Sequence, residues 1–218
     1  LCCEMNEGHV EMDTIIYNAA VSACEKRGKW VHALQLCRDM QTTCVESGTI
    51  TCNAAVSACE KGSQWLRALQ LCREMVHGHV ERNAITCTAA VSACKRSGEW
   101  AAALQLFREL TDGRLERDTS MYRAAVSTCE ENGEWECALH LCREMADTCV
   151  ETDTSTFNSA VSACGKGGEW MRALRLLREM PDFHLERDTI TYNSTVSACE
   201  KAGEWEVALQ LFREMADG

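Results

Sequence analysis

Sixteen cysteines and six histidines are the side chains of this 218-residue sequence best suited to metal or covalent chemistry. Their spacing points elsewhere. Cys24, Cys59, Cys94, Cys129, Cys164 and Cys199 form one column at a fixed interval of 35 residues. If each interval is one stacked unit, equivalent helices lie roughly 8–10 Å apart, whereas a disulfide needs Cα atoms within about 7 Å. The column is therefore expected to hold reduced thiols packed as small hydrophobes, in a reducing compartment. No Cys-x-x-Cys pair and no Cys/His quartet at zinc spacing occurs. His9, His79 and His184 share another column, but there they alternate with Cys44, Arg114 and Cys149, as variable loop positions do. With no nucleophile–base constellation and no phosphate loop, the chain offers no catalytic, cofactor or metal site.

A hydrogen-bonding column repeats instead. Asn18, Asn53, Thr88, Arg123, Asn158 and Asn193 occupy equivalent positions. Three residues earlier stand Ile15, Ile50, Ile85 and Ile190, with Ser120 and Ser155 in the other two units. Eight residues later stand Lys26, Lys61, Arg96, Lys166 and Lys201, with Glu131 in the remaining unit. Asparagine is a poor helix-interior residue, so its recurrence means either a helix-start cap or contact with a hydrogen-bonding ligand, since an amide offers both donors and an acceptor. The cations either offset a helix C-terminal dipole or meet an anion.

These columns must be carried by a repeated element. All six tryptophans, at 30, 65, 100, 135, 170 and 205, are 35 residues apart. Units are set at 13–47, 48–82, 83–117, 118–152, 153–187 and 188–218, the last without its final loop; residues 1–12 align as the tail of a preceding repeat. Each unit reads as two helices. Tyr192, Thr195, Val196 and Cys199 form one apolar stripe at helical spacing; Gly203 marks a helix end; Trp205 opens a second helix with Ala208, Leu209, Phe212 and Met215 as its stripe. The tryptophans and the methionines at 40, 75, 145, 180 and 215 are expected in the core. One hairpin cannot bury its stripe alone, so the hairpins must stack into an α-solenoid. The column Ile15, Asn18, Ser22, Glu25 lies on a second face of the first helix, distinct from the core stripe Tyr17, Ala20, Val21, Cys24.

A tetratricopeptide repeat, of 34 residues, places its Trp early in the first helix and closes on Pro. Here "TYN", the corner "ACEKAGE" and "ALQLFREM" recur at a period of 35, and the unit resembles the pentatricopeptide repeat, a class that reads one RNA base per helical repeat. The resemblance covers nearly the whole chain. It implies an all-α, right-handed superhelix whose first helices line a groove for single-stranded RNA. The Asn18 column would meet base edges, assisted by the first residue of the following unit: Gly48, Asn83, Asp118, Asp153 and Asp188. Ile15, Ile50, Ile85 and Ile190 would pack on base faces, and Lys26, Lys61, Arg96, Lys166 and Lys201 would meet phosphates. By the family's pairings, Asn53 with Asn83 favours C, Thr88 with Asp118 favours G, and Asn158 with Asp188 favours U. Asn18 with Gly48, and Asn193, favour a pyrimidine. Neither DNA nor a membrane is an implied partner. The resemblance further points to a mitochondrion or plastid, and to family members that carry a catalytic domain beyond the repeats.

Net charge is −11, the opposite of the usual basic footprint of nucleic-acid binders. The acidity is uneven. Residues 118–152 hold two basic and eight acidic side chains. The same unit carries Arg123, Ser120 and Glu131 at the three site columns, which marks it as a spacer that reads no base. A protein-interaction scaffold is the alternative that the acidity favours.

Overall fold

The computed structural model describes residues 14–43, 45, 47–77, 80, 83–111, 118–148 and 150–217. The expected tail at 1–12, Asp13, Cys44, His79, Arg114 and Cys149 lie outside the described residues. The described residues form twelve α-helices and no strand. Those of the first half are α1 Thr14–Lys26, α2 Trp30–Thr42, α3 Thr49–Lys61, α4 Trp65–His77, α5 Ala84–Arg96 and α6 Trp100–Thr111. They are followed by α7 Thr119–Asn132, α8 Trp135–Asp147, α9 Thr154–Lys166, α10 Trp170–Glu179, α11 Thr189–Ala202 and α12 Trp205–Asp217, with a 3₁₀ turn at Met180–Phe183 after α10. The chain divides into two compact units, Leu1–Glu99 and Trp100–Gly218. In the first, α1 packs on α2 and α3, and α3 on α4 and α5. In the second, α7 packs on α8 and α9, and α9 on α10 and α11. Within each unit the odd-numbered helices therefore stack side by side, with α2 and α4 behind α1 and α3 in the first and α8, α10 and α12 behind α7, α9 and α11 in the second.

Small residues permit that close stacking. In the first unit Val21, Ala33, Ala54, Ala55 and Ala58 form a buried cluster, with Cys24, Leu36, Cys37 and Leu71 packed against it. In the second, Ala125, Val126, Cys129, Ala160, Val161 and Cys164 are fully buried. Larger side chains fill the space between successive hairpins, as where the rings of Phe107 on α6 and Tyr122 on α7 meet edge to face at 5.1 Å.

The recurring corner has a single construction. The N–H groups of Lys29, Gln64, Glu99, Glu134, Glu169 and Glu204 donate to the carbonyls of Cys24, Cys59, Cys94, Cys129, Cys164 and Cys199 at 2.9–3.0 Å, the long bond of a Schellman turn. That turn requires a left-handed residue, supplied by Gly28, Gly98, Gly133, Gly168 and Gly203 at φ 61–79° and by Ser63 at φ 54°.

The twelve described cysteines are all free thiols, as the column spacing predicts. The methionines at 40, 75, 145 and 180 are buried. The tryptophans differ from expectation. They open the second helices, but Trp30, Trp65, Trp100, Trp135 and Trp170 are only half-buried and Trp205 is 65% exposed. The indoles lie along the corner at the edge of the core, with Trp30 packed against the buried cluster of the first unit: a Cβ at Gly62 or Gly167 would come within 2.4 Å of Cδ1 of Trp30 or Trp135. The stripe expected on α12 is also open, with Leu209, Phe212 and Met215 exposed and Leu211 buried. In α10 the equivalent stripe is covered by α11.

Candidate functional site

Ile15, Ile50 and Ile85 of the first unit and Ile190 of the second are 62–75% exposed on the first helices, as Leu66, Met171 and Trp205 are on the second helices. A β-branched residue left in water at the same position of successive helices has no packing role there. One turn further along the same helix face lies the Asn18 column. Asn18, Asn53, Thr88 and Asn158 are half-buried, and Arg123 and Asn193 are exposed.

In the five units from residue 48 onward, the first residue proves to be the N-cap of the first helix. Gly48, Asn83, Asp118, Asp153 and Asp188 all have extended backbones. The side-chain oxygens of the last four accept from the N–H of Thr86, Met121, Thr156 and Thr191 at 2.7–3.1 Å, satisfying one of the donors a helix leaves open at its start. Three of the expected pairs are in direct contact. Asn53 Nδ2 donates to Asn83 Oδ1 at 3.2 Å, Asn158 Nδ2 to the Asp188 carboxylate at 3.0 and 3.2 Å, and Arg123 is ion-paired with Asp153 at 3.4 Å. Gly48 offers Asn18 no side chain. The Thr88 hydroxyl is buried without a hydrogen-bond partner.

The other end of each amide meets a residue that the sequence columns did not single out. The hydroxyls of Thr51 and Thr86 donate to Oδ1 of Asn18 and Asn53, and that of Thr191 to Oδ1 of Asn158 at 2.5 Å. These threonines are fully buried. The signal was present as a threonine three residues after the N-cap, in Gly-Thr-Ile-Thr, Asn-Ala-Ile-Thr and Asp-Thr-Ile-Thr, a relative of the capping box. Burial works to raise the Asp188 pKa, but hydrogen bonds from the Thr191 hydroxyl and N–H and from Asn158 carry it below the ordinary carboxylate value.

The cation column is partly engaged. Lys61 pairs with Glu25 at 3.0 Å and Lys166 with Glu130 at 3.9 Å, each acid belonging to the preceding hairpin. Lys201 Nζ donates to the Gly165 carbonyl at 3.4 Å. Lys26 and Arg96 are exposed. Burial raises the pKa of Glu60 against the pull of Arg96 and Lys61. Among the described residues no group of His, Cys, Asp and Glu could hold a metal ion, and no helix is long and apolar enough to cross a membrane.

A family model described as PPR repeat matches residues 15–43, 50–79, 85–114, 155–185 and 190–217. The chain belongs to the pentatricopeptide repeat (PPR) family. The matched PPR segments leave out 115–154, the span holding the divergent Ser120, Arg123 and Glu131. Comparison with curated proteins finds no match. Among solved structures, the chain is similar to the maize pentatricopeptide repeat protein PPR10, with a TM-score of 0.73 and 21% identity over 99% of this chain and 31% of that one. PPR10 in complex with an 18-nucleotide psaJ RNA element gives 0.69 and 22%, with the same coverage. The PPR domain of Arabidopsis thaliana protein-only RNase P 1, in complex with tRNA, gives 0.67 and 14% over 83% of this chain and 95% of that one. The likeness shows the fold, an α-solenoid of paired helices. The chain spans about a third of the PPR10 length.

Proposed function

We propose that this chain is a single-stranded RNA-binding module that reads bases one per repeat and has no catalytic role of its own. The observation that carries the reading is the exposed isoleucine one turn before a hydrogen-bonding side chain, repeated on the first helices, with the amides of Asn53 and Asn158 clamped at both ends. An isoleucine at 62–75% exposure gives a base face an apolar partner, and the amide one turn away retains one N–H donor and one acceptor lone pair for a base edge. PPR10 and the RNase P domain are seen with RNA, which supports the same ligand class here. Family membership supports an organelle setting, mitochondrion or plastid, and a part in RNA processing, stability or translation.

The assignments follow the site columns. Asn18, Asn53, Thr88, Asn158 and Asn193 face base edges with Gly48, Asn83, Asp118 and Asp188 as second residues. Ile15, Ile50, Ile85 and Ile190 pack on bases, and Lys26, Lys61, Arg96, Lys166 and Lys201 meet phosphates. In the fourth repeat Arg123 is committed to Asp153, which suits a spacer. Read 5′ to 3′ along the chain, the preferred sequence is Y-C-G-N-U-Y. Selection from a random RNA library at low salt tests this. Asn83→Asp replaces an amide that both donates and accepts by a group that only accepts, so the second base should shift from C toward U by about 1 kcal/mol, the lower range for one base contact. Absence of an enriched motif, or a motif indifferent to Asn83→Asp, returns the chain to the scaffold class, which pull-down of protein partners would then address.

A further inference from the structure

We propose that the buried threonines Thr51, Thr86 and Thr191 are positioning residues for base discrimination, each fixing which way round the amide of the preceding hairpin is presented. The inference rests on the RNA-reading proposal above and adds a role to a column that does not face solvent.

An Asn side chain is nearly symmetric in shape but opposite in chemistry at its two ends. U offers an acceptor at O4 and a donor at N3, and C the reverse, so an amide turned over by half a rotation exchanges its preference between them. Something must hold the amide one way round. For Asn158 the nitrogen end is held by the Asp188 carboxylate and the oxygen end by the Thr191 hydroxyl. That hydroxyl has one proton and faces two acceptors, since Asp188 Oδ1 lies at 2.7 Å. Asp188 is also supplied by the Thr191 N–H at 2.8 Å and by Asn158 Nδ2, so the hydroxyl is shared between the carboxylate and the Asn158 carbonyl it faces at 2.5 Å. Asn53 is held the same way round between Asn83 and Thr86, so its assigned preference for C over U comes from Asn83, whose amide donates as well as accepts where Asp188 only accepts. At Asn18 only Thr51 takes part, because Gly48 has no side chain.

The fourth and fifth hairpins contain an internal control. Thr156 is as fully buried as Thr191, and its hydroxyl bonds its own N-cap, Asp153, at 2.5 Å. The side chain on the preceding helix is Arg123, not an amide. Thr156 shares the structural duties of the column without an amide to orient.

The test uses the whole chain and labelled hexaribonucleotides 5′-UCGAUU-3′ and 5′-UCGACU-3′, which differ at the base assigned to Asn158. Binding is measured for wild type, Thr191→Val, Thr191→Ser and Thr156→Val, with circular dichroism to verify the fold. Wild type should favour the U-bearing RNA by about fivefold, the lower end of one base-specific contact. Thr191→Val should bring the two RNAs level, while Thr191→Ser and Thr156→Val keep the ratio. An unchanged ratio in Thr191→Val, or an equal loss in Thr156→Val, overturns the inference and leaves the RNA-reading proposal standing. The side-chain amide resonances of Asn158, followed by NMR without RNA, separate the other case. If wild type shows no U/C difference, the base-reading proposal fails at this register. The clamp is then upheld if Thr191→Val alone shifts those resonances and speeds their hydrogen exchange, and overturned if it does not. Should Thr191→Val not fold, Thr191→Ala takes its place with the same outcomes.

Discussion

Buried thiols hold their protons far more tightly here than an ordinary cysteine with its pKa of 9.0. Burial pushes Cys59 and Cys94 up to about 11, and Cys37, Cys129, Cys142 and Cys164 to about 12. The unfolded chain loses these protons above pH 9 while the folded chain keeps them, so the folded state binds more protons and stability falls as pH rises. The contribution is complete below pH 9 and is lost between 9 and 11–12, with at most about 1.4 kcal/mol per pH unit for each thiol. Denaturant midpoints in excess reductant should be flat from pH 7 to 9 and drop beyond it, and replacing Cys142 by Ala should flatten the drop. Loss of helicity on reduction would contradict free core thiols altogether. At this scale the sequence was readable wherever a column had one role. Cys, Ile and Asn columns gave the core and the exposed face directly. Thr191 did not announce itself, because a threonine near a helix start reads first as a capping residue and the partner it clamps is 33 residues away.

The helices were legible because apolar stripes at 3.6-residue spacing agree with a left-handed Gly corner in every unit but the second. The tryptophans were not, since hydrophobicity alone cannot separate a side chain inside a hairpin from one laid along its corner. Ser63 is the exception within the corner. A left-handed conformation costs a non-glycine residue roughly 1–2 kcal/mol, and glycine returns part of that through its greater unfolded freedom. Ser63→Gly should therefore stabilise the first unit by about 0.5–1 kcal/mol, leaving in place the bond from the Ser97 hydroxyl to the carbonyl of residue 63. Thermal unfolding would register the gain, and an unchanged or lower midpoint would mean that the strain is relieved elsewhere. The fourth hairpin folds like the others although the family pattern skips it, because packing needs only Met121, Tyr122, Ala125, Val126 and Cys129, all buried.

On the scale of the molecule, the acidity and the cation column meet in the cross-hairpin ion pairs. Five cations released from phosphate in full would give log K against log salt a slope of roughly −3.5 for a single strand. Lys61 and Lys166 already hold carboxylates, so an RNA phosphate exchanges one anion for another there, and the expected slope is nearer about −2. Glu25→Gln and Glu130→Gln should each steepen it and tighten binding at low salt. Anisotropy titrations across a salt series would read this directly, and slopes unmoved by either substitution would remove those lysines from the RNA path. Such exposed pairs are worth little to stability, ~0–1 kcal/mol, so the variants should fold as wild type does.

The clamped amides also bear on how such an array can change. Asn53 is set by Asn83 and Thr86, and Asn158 by Asp188 and Thr191. On the base-reading proposal, a reading position is thus written across a seam, with its letter on one hairpin and its setting on the next. Duplication or deletion of one 35-residue unit therefore edits two words at once, inserting or removing a letter and re-setting its upstream neighbour. Units that share one N-cap and threonine, as 153–187 and 188–218 do with Asp and Thr, can be exchanged without re-setting their upstream neighbours. Seams, not hairpins, are the interchangeable parts of this alphabet.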